Sequence, residues 1–369
     1  MTQADIVVIG AGLAGLTCAQ RLRGAGYPVR VLEKSRGLGG RMATRRLEGW
    51  PLDHGARGIQ PRSAAFQSVV QWVHDRGVLV PWRSPTFQLA PATQQLIPTE
   101  PEEPFWVAPA GMSAVGKALG AGLQIERQHR AIALASTDQT PWHIEAEAAT
   151  QTDPIAIPAA AVAVMIPAGQ VMPLLQPWVG RGVESAQWEA IAAVDYAPCI
   201  TVMAQYDSGV SPSVEPAIAP HQPWQVLGHP DSPFFWVGLD SSKRQATTPA
   251  VVIHSSAAFA DQWLEAPDIQ PAGEQLLKAA GDAIAPWLAR PVRWQVHRWR
   301  YAIATQPCPH LPWGDQPGPW VAGGDWCGDR QLETAFEAGW QAAAILNQML
   351  EGRSLPDLAP WLDTLLPAP

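Results

Sequence analysis

Three glycines and an acid near the start of the chain have the types and spacing to hold a dinucleotide. Gly10, Gly12 and Gly15 stand in GxGxxG spacing directly after the apolar run Ile6 to Ile9, and a helical pattern begins at once. The first glycine allows a tight turn, the second lets backbone approach a pyrophosphate, and the third lets helix and strand pack closely. Ala11 and Ala14 belong to the same turn, and the helix N-terminus that follows faces the negative charge. A second strand, Pro28 to Leu32, ends at Glu33, placed to accept from ribose hydroxyls, with Lys34 beside it. A lone GxGxxG is a weak signal, but strand, glycines, helix, strand and acid in this order are a specific one. Glu33 would serve NAD or FAD equally, so the turn alone leaves the dinucleotide open.

The elements that must position these residues fit a chain of 369 residues, long enough for two domains. Hydrophobic residues make up 47% and charged ones 16%, which suits a globular α/β protein. A net charge of −8 without a lysine-rich run argues against a nucleic-acid partner. The leader Met1 to Asp5 has an acid and no basic side chain, unlike a secretory signal, and the apolar run Pro154 to Gly169 is broken by three prolines. The expectation is a soluble cytoplasmic protein without a membrane span. Cys18, Cys199, Cys308 and Cys327 are too scattered to suggest a zinc site or a redox pair, and no metal site is expected. Cys18, inside the first helix, reads as core. The 18 tryptophans exceed what a core of this size needs, so some are candidates to line a cavity for a flat ligand.

Amphipathic spacing predicts a helix from Ser63, with Phe66, Val69, Val70 and Val73 on one face, and others from about Ser113 and over 272–285. Residues 77–110, rich in Pro, Thr and Gln, read as an irregular excursion. Strands are predicted at 123–125, 131–135, 142–146, 161–166, 200–206, 234–239 and 251–255, and "VRWQVHRWRYA" alternates as another. The order of blocks predicts a discontinuous nucleotide-binding domain (1–60, 106–166, 318–369) with a sheet-based substrate domain inserted into it (61–105, 167–317). No second GxGxxG follows a strand.

Several segments carry a resemblance. "VAGGDWCGDRQLETAFEAGWQAA" places Gly324 and Asp325 between an apolar strand and a helix of small residues; "EKSRGLGGRMATRR", "DHGARG", "YAPCITVMAQYD" and "HRWRYA" accompany it. Together they resemble the renalase-like NAD(P)/FAD-dependent oxidoreductases of the flavin-containing amine-oxidase superfamily. The resemblance implies a Rossmann-type FAD-binding domain and non-covalent FAD. By it, Gly10, Ala11, Gly12, Ala14 and Gly15 would cradle the pyrophosphate, Glu33 would hold the adenosine ribose with Lys34 part of the same FAD motif, and Gly40, Arg41 and Met42 would continue the cradle. Gly55 and Ala56 would lie against the isoalloxazine, Arg130 and Ala131 by the adenine, Gly324, Asp325, Thr334 and Ala335 would complete the flavin site, and Arg57 is a further cofactor-binding candidate. "QHRA" at Gln128 to Ala131 and "QLETA" at Gln331 to Ala335 depart from the usual pattern.

A flavin that accepts a hydride needs a substrate carbon held close, stacked and dehydrated, rather than a triad. By period-two alternation His297, Trp299 and Tyr301 share one face of their strand, and Arg298 and Arg300 the other. That aromatic face would wall a cavity for a planar ring; alternation alone fits sheet core as well. Trp236, His254 and Tyr196 would line the opposite side. By the resemblance, the leading expectation is hydride transfer from a dihydronicotinamide, NAD(P)H or an isomer, with O2 as acceptor. The alternatives are oxidation of an amine, desaturation of a terpenoid, or a non-enzymatic flavoprotein. Among four lysines, Lys243 is the candidate for an amine-oxidase lysine, although a loop lysine is more often solvated.

Overall fold

Ile6, Val7 and Val8 are fully buried, and their strand, Ile6–Ile9, lies inside a six-stranded sheet. A strand covered on both faces needs a continuous apolar run, which is what the sequence supplies. The computed structural model describes residues 6–91, 95–100, 103–214, 218–219, 221–244 and 246–365; the leader and the last four residues of the expected nucleotide domain lie outside them. The sheet runs Trp313–Gly314, Trp320–Ala322, Ala161–Val164, Ile6–Ile9, Val29–Glu33, Gln124–Arg127. All neighbours are parallel except the first pair.

The helix Leu13–Gly24 packs against the helix Leu332–Met349. A Cβ on Gly339 would lie 2.1 Å from the Ala14 carbonyl oxygen, so only glycine allows this approach. Cys18 is buried in the same core. The antiparallel strands His129–Ala135, Trp142–Ala148 and Ile155–Ala159 carry the chain back to the large sheet. Trp142, Ile144 and Ala146 are buried while Glu145 and Glu147 are exposed, the alternation of a half-buried strand.

The second large sheet has seven strands: Arg293–Gln306, Asp195–Gln205, Ala250–Ser255, Phe234–Leu239, Gln225–Leu227, Thr86–Leu89, Leu96–Pro98. One face packs on the helix Gln270–Ala283, where Leu276, Leu277 and Ala280 meet Val202, Val251 and Ile253. On its other face Met203, Trp236 and Val252 pack on Leu47 and Leu52, from the hairpin of Thr44–Leu47 and Trp50–Asp53. The fold is α/β, a Rossmann-type unit joined to a sheet-based one. Among the described residues no helix is long and apolar enough to cross a membrane.

Residues 77–110 are not irregular. They hold the strands Val80–Trp82, Thr86–Leu89, Leu96–Pro98 and Phe105–Val107, two of which finish the seven-stranded sheet. Each is three or four residues long, too short to show a period, and Pro98 is tolerated because its strand is an edge.

Candidate functional site

The glycine turn places each of its glycines differently. Gly10 has a φ of +103°, and a Cβ there would lie 2.5 Å from the Met165 carbonyl oxygen. A Cβ on Gly15 would lie 1.9 Å from the Gly10 carbonyl oxygen, so this residue lets the helix sit on the strand. Gly12 is the opposite case: its Cβ would find only the Gly40 Cα, at 3.9 Å. The turn is open on the Gly12 side, with the helix N-terminus behind it, which leaves room there for an anionic group. The Gly39 N–H donates to the Ala11 carbonyl (2.8 Å), which lays the segment with Gly40, Arg41 and the buried Met42 over the turn. Glu33 accepts from the Ala11 N–H (2.8 Å) and the Ser35 N–H (2.7 Å), fixing the carboxylate against the turn.

Lys34 donates to Gln170 Oε1 at 3.0 Å. Burial lowers its pKa, the charge of Glu33 opposes the shift and that of Arg130 adds to it. The Arg130 side chain is exposed and lies 3.7 Å from Glu147, while Ala131 pairs with Ala146.

Asp325 follows the strand Trp320–Ala322 and forms a two-pronged ion pair with Arg41, which also donates to the Tyr301 carbonyl at 3.2 Å. Burial pushes the pKa of Asp325 up, and Arg41 opposes the shift. The Arg41 carbonyl accepts from the Ala56 N–H (2.9 Å), and a Cβ on Gly55 would lie 1.9 Å from that same oxygen. The structure thus supplies a reason for glycine at 55 different from the expected one, because two backbones meet there. Gly324 is the N-cap of the short turn through Asp325. Thr334 Oγ1 accepts from the Arg330 N–H (2.9 Å), and Ala335 is buried at the start of its helix. An open cradle at Gly12, a forked cation and a buried carboxylate at its rim fit a flavin dinucleotide.

The strand Arg293–Gln306 keeps its register with Asp195–Gln205 as far as Trp299 and shifts between Trp299 and Ile303. Arg298 donates to the Trp263 and Ala266 carbonyls and Arg300 pairs with Glu265, away from the aromatic face. On the aromatic face Trp299 Nε1 donates to the His54 carbonyl (2.8 Å), and the two rings stack at 5.3 Å and 26°. His297 meets His54 edge-on at 4.9 Å, and Tyr301 meets Tyr196 at 5.2 Å. The Tyr196 hydroxyl accepts from the Ala168 N–H at 3.0 Å. Burial is the main force holding His54 and His254 down to about 3 and His297 to about 4. At neutral pH these imidazoles carry no charge, so the face is aromatic and neutral.

Two expectations change. Trp236 is fully buried, with Nε1 bonded to Gln225 Oε1 (2.9 Å) and its ring 5.0 Å from that of His254. It is core behind the histidines rather than cavity wall, because its strand turns that side chain onto the hairpin. Arg57 reaches over Phe105 at 4.7 Å and Trp236 at 5.8 Å. Lys243 is not a solvated loop residue: its side chain has no exposure and lies 2.7 Å from Asp240 and 3.4 Å from Asp53. Sequence reasoning missed His54 as a ring partner, although "DHGARG" contained it. Among the described residues no group of three or more His, Cys, Asp or Glu is placed to hold a metal.

The fold is that of a Rossmann-type dinucleotide-binding protein with a second, sheet-based part. The chain belongs to the family described as flavin containing amine oxidoreductase, whose model matches residues 72–347; a model described as NAD(P)-binding Rossmann-like domain matches residues 8–72. An L-amino-acid oxidase of Echis ocellatus is 56% identical over 69 residues, 18% of this chain and 14% of the relative. One of Siganus canaliculatus is 41% identical over 68 residues, 18% of this chain and 13% of the relative. The chain thus matches about one seventh of these relatives' length. In overall fold it is similar to a putrescine oxidase (TM-score 0.68, 14% identity, 94% of this chain and 99% of the other). It is also similar to the cyclohexylamine oxidase of Brevibacterium oxydans (TM-score 0.66, 14% identity, 95% and 100%).

Proposed function

We propose that the protein is an FAD-dependent oxidase that removes a hydride from the carbon next to an amine nitrogen and passes the electrons to O2. Membership of the flavin-containing amine oxidoreductase family supports this over the dihydronicotinamide reading that the sequence favoured. The observation that carries it is the neutral aromatic face of Trp299, His297 and His54 beside the Arg41–Asp325 pair. Bound without a covalent link, FAD would supply the hydride acceptor. Gly10, Gly12 and Gly15 would hold its pyrophosphate, Glu33 its ribose, and Arg41 and Asp325 the stretch toward the ring. On this reading residues 1–60, 106–166 and 318–369 form the FAD-binding unit.

Trp299, backed by the buried His54 ring, would stack on the substrate and exclude water, which strengthens every polar interaction inside the site. The neutral imidazoles would not repel a substrate nitrogen, and they would favour its uncharged form, whose lone pair drives hydride loss. The substrate leaves as an imine, and water then hydrolyses it.

A second reading, the renalase-like one, is that a dihydronicotinamide isomer donates the hydride. It is favoured by the sequestration of Lys243, the candidate amine-oxidase lysine, in buried ion pairs, and by the flat Trp299–His54 wall. Anaerobic mixing of the yellow holoprotein with benzylamine, L-amino acids, NAD(P)H and the 2- and 6-dihydro isomers separates the two. Rapid bleaching by an amine, reversed by air with H2O2 formed, supports the first reading. Bleaching only by a dihydronicotinamide overturns it in favour of the second. A protein that bleaches with none refutes both.

A further inference from the structure

A group of four charged side chains lies buried between the hairpin and the seven-stranded sheet. Asp53, Asp240 and Lys243 have no side-chain exposure, and Arg244 has 7%. Two carboxylates face two cations, so the group is neutral as a whole. Lys243 lies 2.7 Å from Asp240 and 3.4 Å from Asp53; Arg244 lies 2.5 Å from Asp240 and 2.9 Å from Asp53. Arg244 also donates to the Asp240 carbonyl (2.9 Å) and the Pro109 carbonyl (3.1 Å). Asp53 accepts from the Met112 N–H (2.8 Å) and the Thr44 hydroxyl (2.7 Å). Three segments distant in sequence are thereby tied at one carboxylate.

The residue after Asp53 is His54, whose ring stacks on Trp299 and whose carbonyl accepts from Trp299 Nε1. The next is Gly55, in close backbone approach to Arg41, which holds Asp325. Any drift of Asp53 is therefore passed to the aromatic face on one side and to the Arg41–Asp325 pair on the other. Burial raises the pKa of Asp240, but Arg244 and Lys243 outweigh it and hold the carboxyl below its usual range, so Asp240 stays ionised at neutral pH. Breaking such a group from one side leaves a carboxylate without its counter-charge, whereas removing one charge of each sign does not.

We propose that Lys243 is a positioning residue: its charge balances Asp240, so that Arg244 can hold Asp53, and it thereby sets the geometry of His54, Trp299 and Arg41 around the flavin. It acts through Asp53 and does not touch substrate. The proposal rests on the assignment of the Gly12–Arg41–Asp325 cradle to FAD, and its primary readouts need no substrate.

The test compares Lys243→Met with the charge-balanced pair Lys243→Met plus Asp240→Asn, in which Arg244 still holds Asp53. Both are purified with FAD, and the visible band and the flavin midpoint potential are measured. Anaerobic bleaching is then followed with benzylamine and with 6-dihydro-NAD. The expected result is a displaced band and potential in Lys243→Met, both returning to the wild-type values in the double variant. With whichever reductant bleaches the wild type, the rate should fall on the order of a hundredfold in Lys243→Met, as a small misplacement costs, and recover in the double. A Lys243→Met protein that melts lower yet keeps the wild-type band and potential shows a merely structural lysine and overturns the proposal. Loss of bleaching in both variants with unchanged band and potential also overturns it, since that marks a lysine acting on substrate. If Lys243→Met does not fold, the double decides: wild-type band, potential and bleaching support the clamp, and any displacement overturns it. If none of the amines, L-amino acids or dihydronicotinamides bleaches the wild type, the function proposed above fails while band and potential still decide this one.

Discussion

Two glycines of the turn should respond oppositely to the same added methyl group. A Cβ on Gly15 would lie 1.9 Å from the Gly10 carbonyl oxygen and 3.4 Å from the Met165 Cβ. The helix Leu13–Gly24 must then lift off its strand by more than an ångström. Overpacking of this kind costs about 1–3 kcal/mol, offset by about 1 kcal/mol of helix propensity. Gly12 has a φ of −77° and ψ of −179°, an extended conformation open to alanine, and no atom nearer than 3.9 Å to the added carbon. Without FAD, Gly12→Ala should lose no more than about 1 kcal/mol, the range of an N-cap change. With FAD, the methyl group occupies the side through which a pyrophosphate would approach. A tenfold or greater loss of affinity, about 1.4 kcal/mol or more, is expected there.

The assay is thermal unfolding of each apoprotein over a series of FAD concentrations. The rise in Tm with ligand reports affinity separately from intrinsic stability. Gly15→Ala should lower the apo Tm, whereas Gly12→Ala should leave it nearly unchanged and flatten the FAD dependence. Wild-type FAD dependence in Gly12→Ala would refute the placement of the pyrophosphate at this turn.

Three further outcomes follow from the site. Folding holds the pKa of His54 and His254 near 3, below the ordinary 6.5, so between these values the unfolded chain binds more protons and stability falls as pH drops. Each of the two removes about 1.4 kcal/mol per pH unit below 6.5, so denaturant titrations at pH 5 and 6 should show the slope, and His254→Gln should remove about one proton's share; an unaltered slope contradicts the burial argument. Arg41→Lys keeps the charge but loses the two-pronged contact with Asp325, and titration of the apoprotein should show FAD affinity reduced about tenfold or more. Tyr196→Phe strips the acceptor from the Ala168 N–H at a helix start, which should lower unfolding free energy by about 1–3 kcal/mol without changing the denaturant m-value.

The sequence by itself determined what is local. Ile6–Ile9 had to be a doubly covered strand because four consecutive apolar residues have no face for water, and the glycines after it had to turn tightly. The alternation that put His297 and Trp299 on one side of their strand is likewise a property of the backbone. Tertiary structure alone decided which partners those side chains meet. Nothing near His54 in the chain shows that Trp299, 245 residues away, lies on its ring and bonds to its carbonyl. The same holds for Lys243, which reads as a loop lysine until Asp53 closes over it, and for Trp236, which alternation could place in cavity or core alike. Short strands such as Leu96–Pro98 exist only because a neighbouring strand accepts their hydrogen bonds. Burial and pairing are set by contacts between distant segments, and local spacing carries no record of them.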